Sequence, residues 1–142
     1  MFYGYYEHNL DDKGRIVIPS KMRNEAGNVL YIMKGYDGAL SIFKKEAFEK
    51  LQEEVEKQAF NKKVTRDFQR VQLASTFELE VDKQGRIQIP YQLLEKYKIG
   101  KELVIIGVGN HIEIWDKKAY QEYEQQAIND FESIAENLKE NE

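Results

Sequence analysis

The chain has 142 residues, 42% of them hydrophobic, a formal net charge of −4 and no cysteine. That length admits one domain or two small halves sharing a core, and the composition argues against wholesale disorder. Disulfides, thiolate catalysis and cysteine-based zinc sites are excluded, a reducing cytoplasm is the compatible compartment, and the absence of any run of 18 apolar residues predicts no membrane span.

The opening MFYGYYEHNL has no basic stretch and no long apolar run, so it reads as mature protein and not as a signal peptide. Its aromatics Phe2, Tyr3, Tyr5 and Tyr6 suit either packing within one chain or a subunit interface. Alternation at Tyr6, His8 and Leu10 predicts a strand. A turn follows from Asp11 to Gly14, and Ile16 and Ile18 mark a second strand. Pro19 fits the first turn of a short helix, which Gly27 ends. Residues 29–34 and 39–43 predict two strands joined at Asp37-Gly38, a hairpin signal. Ala47, Phe48, Leu51 and Val55 have amphipathic-helix spacing over 45–58. Val64, Phe68 and Val71 suggest a connecting helix over 61–75.

The pattern then starts again. LDDKGRIVIP (10–19) returns as VDKQGRIQIP (81–90), and the only two prolines, Pro19 and Pro90, close the two phrases. With Gly14 set on Gly85, Tyr6, His8 and Leu10 meet Phe77, Leu79 and Val81. After a one-residue shift, Gly35 meets Gly107, Ile42 meets Ile114, and Phe43 meets Trp115. The predicted organisation is a first repeat over 1–58, a connecting helix over 59–75, a second repeat over 76–126, and a C-terminal helix with an acidic tail over 127–142. Copies of this size are marginal alone, so mutual burial is expected. Asp116 is a candidate N-cap. Behind it, Tyr120, Tyr123, Ala127, Phe131, Ile134 and Leu138 form an apolar face expected to lie mostly against the chain's own core.

Charge is uneven. Residues 116–142 hold 8 acidic and 3 basic side chains, whereas residues 1–115 hold 18 basic and 17 acidic. A local basic face is therefore compatible with the acidic total, and the acidic C-terminal segment should lie away from any nucleic acid.

The repeated D-x-x-G-R turn has a definite chemistry. Asp11 and Asp82 can accept from backbone N–H groups further along the turn. Gly14 and Gly85 allow positive φ. Arg15 and Arg86 start the outgoing strands, where a guanidinium can reach phosphate or guanine O6 and N7. Lys13, Lys83 and Gln84 add donors at the tips. Taken singly, such a turn is ordinarily just a stable turn with arginine paired to aspartate.

Enzymatic readings are weaker. Arg15 and Arg86 would depress the pKa values of Asp11 and Asp82, where an aspartic dyad must share a proton. His8 and His111 lack metal-ligand spacing, and GVGNHI lacks the third glycine of a dinucleotide loop. No cofactor, metal or small-molecule substrate is expected.

The phrases HNLDDKGRIVIPSKMR, VDKQGRIQIP and GVGNHIEIWDKKAY resemble the bacterial MraZ family, within the broader SpoVT–AbrB class of transition-state regulators and MazE-like antitoxins. The likeness runs from about Met1 to Tyr123. It implies an α+β fold in which duplicated, β-rich, swapped-hairpin halves form one intertwined barrel with flanking helices. It also implies a sequence-specific transcriptional regulator, not an enzyme, that binds double-stranded DNA. The expected target is a set of repeated promoter boxes upstream of its own division and cell-wall gene cluster. The expected assembly is a ring-like homo-oligomer, cytoplasmic and nucleoid-associated, with no membrane contact. The family's motif arginines match Arg15 and Arg86, the residues the turn chemistry nominates. An antitoxin-like interaction module is the alternative on the same fold; two motif copies and a helical C-terminus argue against it.

Overall fold

The computed structural model describes residues 1–140. In chain order they form β1 (Phe2–Asn9), β2 (Arg15–Val17), α1 (Ser20–Ala26), β3 (Val29–Lys34), β4 (Leu40–Lys44), α2 (Lys45–Glu56) and α3 (Lys63–Ala74). The order then repeats as β5 (Phe77–Glu80), β6 (Arg86–Gln88), α4 (Tyr91–Lys96), β7 (Glu102–Gly109), β8 (His111–Asp116), α5 (Lys117–Asn129) and α6 (Phe131–Glu140). The last residues of the expected acidic tail, 141–142, lie outside the described residues.

Pairing crosses between the halves. The main sheet is antiparallel with order β1-β7-β8-β4-β3-β5. Each half supplies a hairpin, β3–β4 or β7–β8, and the two hairpins meet along β4 and β8. The first strand of each half leaves its own hairpin and edges the other: β1 runs along β7, and β5 along β3. β2 and β6 pair only with each other, as a separate two-stranded ribbon. Exchanging the halves maps this pattern onto itself, so the molecule has an internal pseudo-two-fold.

Alternation along the strands builds two layers. Leu30, Ile32, Leu40, Ile42, Leu103, Ile105, Ile112 and Ile114 face one way and are buried beneath Ile16 and Ile87 of the ribbon and Met22, Leu93 and Leu94 of α1 and α4. The opposite face is covered by helices. Tyr31 stacks on Phe48 of α2, with ring centroids 4.7 Å apart, and Trp115 meets Tyr120 of α5 edge-on at 5.1 Å. Ribbon and α5 therefore lie on opposite faces of the sheet.

Three expectations change. Hydrogen bonds do not close a barrel among the described residues: β1 and β5 are edges of an open sheet, and the ribbon packs over it through side chains. Pro19 is the N-cap of α1, one position before the first turn, with its carbonyl accepting from the Met22 N–H at 2.8 Å. The long apolar face of the C-terminal segment is only partly covered. Tyr120 packs on Trp115, but Ile128 near the end of α5 and Phe131, Ile134 and Leu138 of α6 are exposed. Of the N-terminal aromatics, Phe2 is buried in the core, whereas Tyr3 and Tyr5 are exposed. Asp116 caps α5 as expected, accepting from the Ala119 N–H at 3.2 Å.

Candidate nucleic-acid interface

The two turns are built alike, atom for atom. Asp11 Oδ1 accepts from the backbone N–H groups of Lys13 at 2.9 Å and Arg15 at 2.8 Å, and Oδ2 accepts from Arg15 Nε at 2.7 Å. Asp82 Oδ1 accepts from Gln84 at 2.9 Å and Arg86 at 2.8 Å, and Oδ2 from Arg86 Nε at 2.7 Å. Gly14 and Gly85 hold φ of 74° and 77°, the left-handed region that lets the chain reverse. The hydrogen bond from the Arg15 N–H is the main cause holding the Asp11 carboxyl down to about 2; its ion pair with Arg15 acts the same way. Asp82 is lowered likewise, first by the Arg86 N–H. Each aspartate is thus engaged with its own arginine, and the pair shares no proton.

The consequence for the arginines is orientation. Only Nε is spent on the aspartate, so the Nη edge of each guanidinium points away from its carboxylate. Neither Nη of Arg15 has a hydrogen-bond partner among the described residues. Arg86 Nη2 reaches Gln84 Oε1 at a long 3.4 Å. The ion pairs are partly solvent-exposed, with 27% and 29% of the arginine side chains accessible, so both can receive a ligand.

The ribbon register then brings the arginines together. Ile16 lies opposite Ile87 and faces the core; Arg15 lies opposite Gln88 and Val17 opposite Arg86, on the outward face. Arg15 and Arg86 are diagonal neighbours, with Cα atoms about 7–8 Å apart. The halves also lock each other: the Ile18 N–H donates to the Gly85 carbonyl at 2.8 Å and the Ile89 N–H to the Gly14 carbonyl at 2.9 Å.

All the nominated side chains, Lys13, Arg15, Lys83, Gln84 and Arg86, fall on the two tips or on the ribbon's outward face, with the lysines and Gln84 exposed. Two further side chains touch the tips. Gln88 Nε2 donates to the Lys13 carbonyl at 2.8 Å, and Arg23 of α1 lies against Gly85. Strand alternation could have indicated Gln88. Nothing local could have indicated Arg23, since the contact crosses from one half to the other. His8 is structural here, its Nε2 accepting from the Val17 N–H at 3.3 Å. His111 stacks on Phe43 and bonds Asn110 and Glu113. No group of three or more potential metal ligands occurs among the described residues, and none of their helices is long and apolar enough to cross a membrane.

The family described as "MraZ protein, putative antitoxin-like" matches twice, over residues 1–71 and 73–142. This chain belongs to the MraZ family. Relatives support the assignment over nearly full length. Transcriptional regulator MraZ of Mesoplasma florum is 43% identical over 139 residues, covering 97% of this chain and 95% of the relative. The protein of the same name from Caldanaerobacter subterraneus subsp. tengcongensis is 42% identical over 138 residues, covering 97% and 96%. That of Thermoanaerobacter pseudethanolicus is 41% identical over 140 residues, covering 99% and 98%. In this MraZ-family chain, both matched stretches contain one D-x-x-G-R turn each.

Proposed function

We propose that this chain is a transcriptional regulator that binds double-stranded DNA with the outward face of the β2·β6 ribbon. One observation carries the reading: two guanidinium groups are fixed by their own aspartates, side by side on a two-stranded ribbon, the Nη edge of Arg15 without a partner among the described residues and that of Arg86 held only by a long 3.4 Å contact to Gln84 Oε1. A two-stranded ribbon fits the major groove, about 12 Å wide, where arginine recognises guanine O6 and N7. Lys13 and Lys83 are placed for phosphates, and Gln84 for an amide contact. The names of the relatives agree with a regulatory role. The pairing of β1 with β7 and of β5 with β3 supports a swapped relation between AbrB-like halves.

The charge distribution supports a homo-oligomer on repeated boxes. Residues 1–115 carry 18 basic against 17 acidic side chains, too little surplus for one ribbon to hold DNA tightly. Several ribbons on one ring-like assembly raise the effective concentration. The proposed target is the promoter region upstream of the chain's own division and cell-wall cluster, reached in the cytoplasm at the nucleoid. The test is an anisotropy titration of the purified protein against that upstream duplex at about 50 and 200 mM salt. Specific binding by the protein alone, weakening with salt, is expected. Binding only after a second protein is added would favour the antitoxin-like alternative.

A further inference from the structure

The pseudo-two-fold that relates the turns is broken where they meet solvent. At the first tip, Asp11 and Asp12 offset Lys13 and Arg15, so the tip is neutral. The position equivalent to Asp12 in the second tip is Lys83, and Gln84 replaces Lys13. Arg23 adds a further cation to the second tip only. Its Nε donates to the Ile18 carbonyl at 2.9 Å, which lays the side chain across Gly85; a Cβ there would meet Arg23 Nε at 2.5 Å and Cζ at 2.7 Å. Gly85 is buried by this contact although it sits in an exposed turn. The equivalent of Arg23 is Leu94, which is buried in the core and leaves Gly14 with no side chain across it. The first tip is braced instead by the neutral amide of Gln88. Lys83, Arg86 and Arg23 against Asp82 give the second tip a charge of +2.

We propose that the tips divide the work of binding, and that Arg23 is a DNA-contacting residue. The second tip, with Arg23 and Lys83 beside Arg86, clamps the phosphate backbone. At the neutral first tip the Asp12 carboxylate offsets Lys13 in its approach to phosphate, so that tip contributes chiefly the base contact of Arg15. Neither Nη of Arg23 has a hydrogen-bond partner among the described residues, and the side chain is exposed, so its fork is free for a phosphate. A chain with one clamping tip sits on the duplex in one direction only. Its box must therefore be asymmetric, despite the near-symmetry of the fold. This rests on the reading of the ribbon as the DNA-binding face.

Two measurements on the full chain test it, with one promoter box and a scrambled duplex as probes. Arg23→Leu, which installs the residue found at position 94, should weaken both complexes by the same factor. It should also reduce the slope of log K against log salt by about 0.9, one phosphate contact. Arg23→Lys should keep the slope; loss of slope with leucine together with its retention by lysine is a pattern that a purely structural arginine would not give. Binding polarity is then mapped with an iron chelate on a single introduced cysteine, which is unambiguous because the chain has none. The pseudo-equivalent exposed positions are Ser20, one turn before Arg23, and Tyr91, which lines a cleft with Asp12 and Lys13. Chelates at Ser20→Cys and Tyr91→Cys should cut opposite ends of the box. An unchanged slope in Arg23→Leu, or equal cutting at both ends by each chelate, overturns the proposal while leaving the ribbon reading intact. If wild-type protein binds and Arg86→Leu does not weaken it, the ribbon reading itself has failed.

Discussion

Asp11 and Asp82 show how one side chain sets the geometry of a binding group. A carboxylate bonded to two backbone N–H groups and to Nε fixes the turn and aims the guanidinium at once. The same bonds couple the turn to pH. The Asp11 carboxyl sits at about 2 in the folded chain, against 3.8 for the free group. A depressed folded pKa gives stability that is complete above the unfolded value and is lost as pH falls through the folded one. Between about pH 4 and pH 2 the wild-type chain should therefore lose resistance to urea, and Asp11→Asn should lack its share of that loss. NMR titration of the Asp11 carboxyl reads the midpoint directly; a value near 3.8 would contradict the geometry. The glycines separate the two tips in a second way. Gly14→Ala should cost about 1–2 kcal/mol for left-handed φ. Gly85→Ala should cost more in thermal denaturation, because its methyl group must also displace Arg23.

At the scale of elements, the ribbon has a buried side and a reading side, and the two should respond oppositely to truncation. Ile16 and Ile87 are 2% and 1% exposed, so Ile87→Ala should lower unfolding free energy by about 2–5 kcal/mol in urea titrations. Val17→Ala, on the outward face, should change it little. This much was legible in the sequence: R-I-V and R-I-Q alternate, and the repeated D-x-x-G-R phrase marks both turns. Strand exchange was not legible in the residue pattern itself; only the family resemblance implied it. Period-2 alternation tells which face a residue takes, not which strand it pairs with, so nothing in FYGYYEHN says that it lies along β7. Nor did helical spacing reveal that Phe131, Ile134 and Leu138 stand clear of the sheet, because periodicity reports a face and not its partner. Arg23 was missed for a related reason: α1 belongs to one half and Gly85 to the other.

For the whole molecule, exchange makes the halves interdependent. A chain cut between α3 and β5 gives fragments that each lack an edge strand supplied by the other, so each alone should show no cooperative unfolding, and mixing should restore it. The proposed oligomer makes spacing decisive. Tandem boxes one helical turn apart, about 10–10.5 bp, should bind far better per box than a single box, and inserting half a turn should remove most of the gain. Equal affinity per box at every spacing would reject an assembled reader. The central claim, that the aspartate-held arginines of the ribbon contact DNA, has one most direct measurement. It is the affinity of an Arg15→Ala, Arg86→Ala chain for the upstream duplex, beside wild type, with its circular dichroism and melting shown to be native-like. The account predicts a folded protein whose specific binding is weakened by about 1–3 kcal/mol for each arginine lost; wild-type affinity in that folded double variant would contradict it.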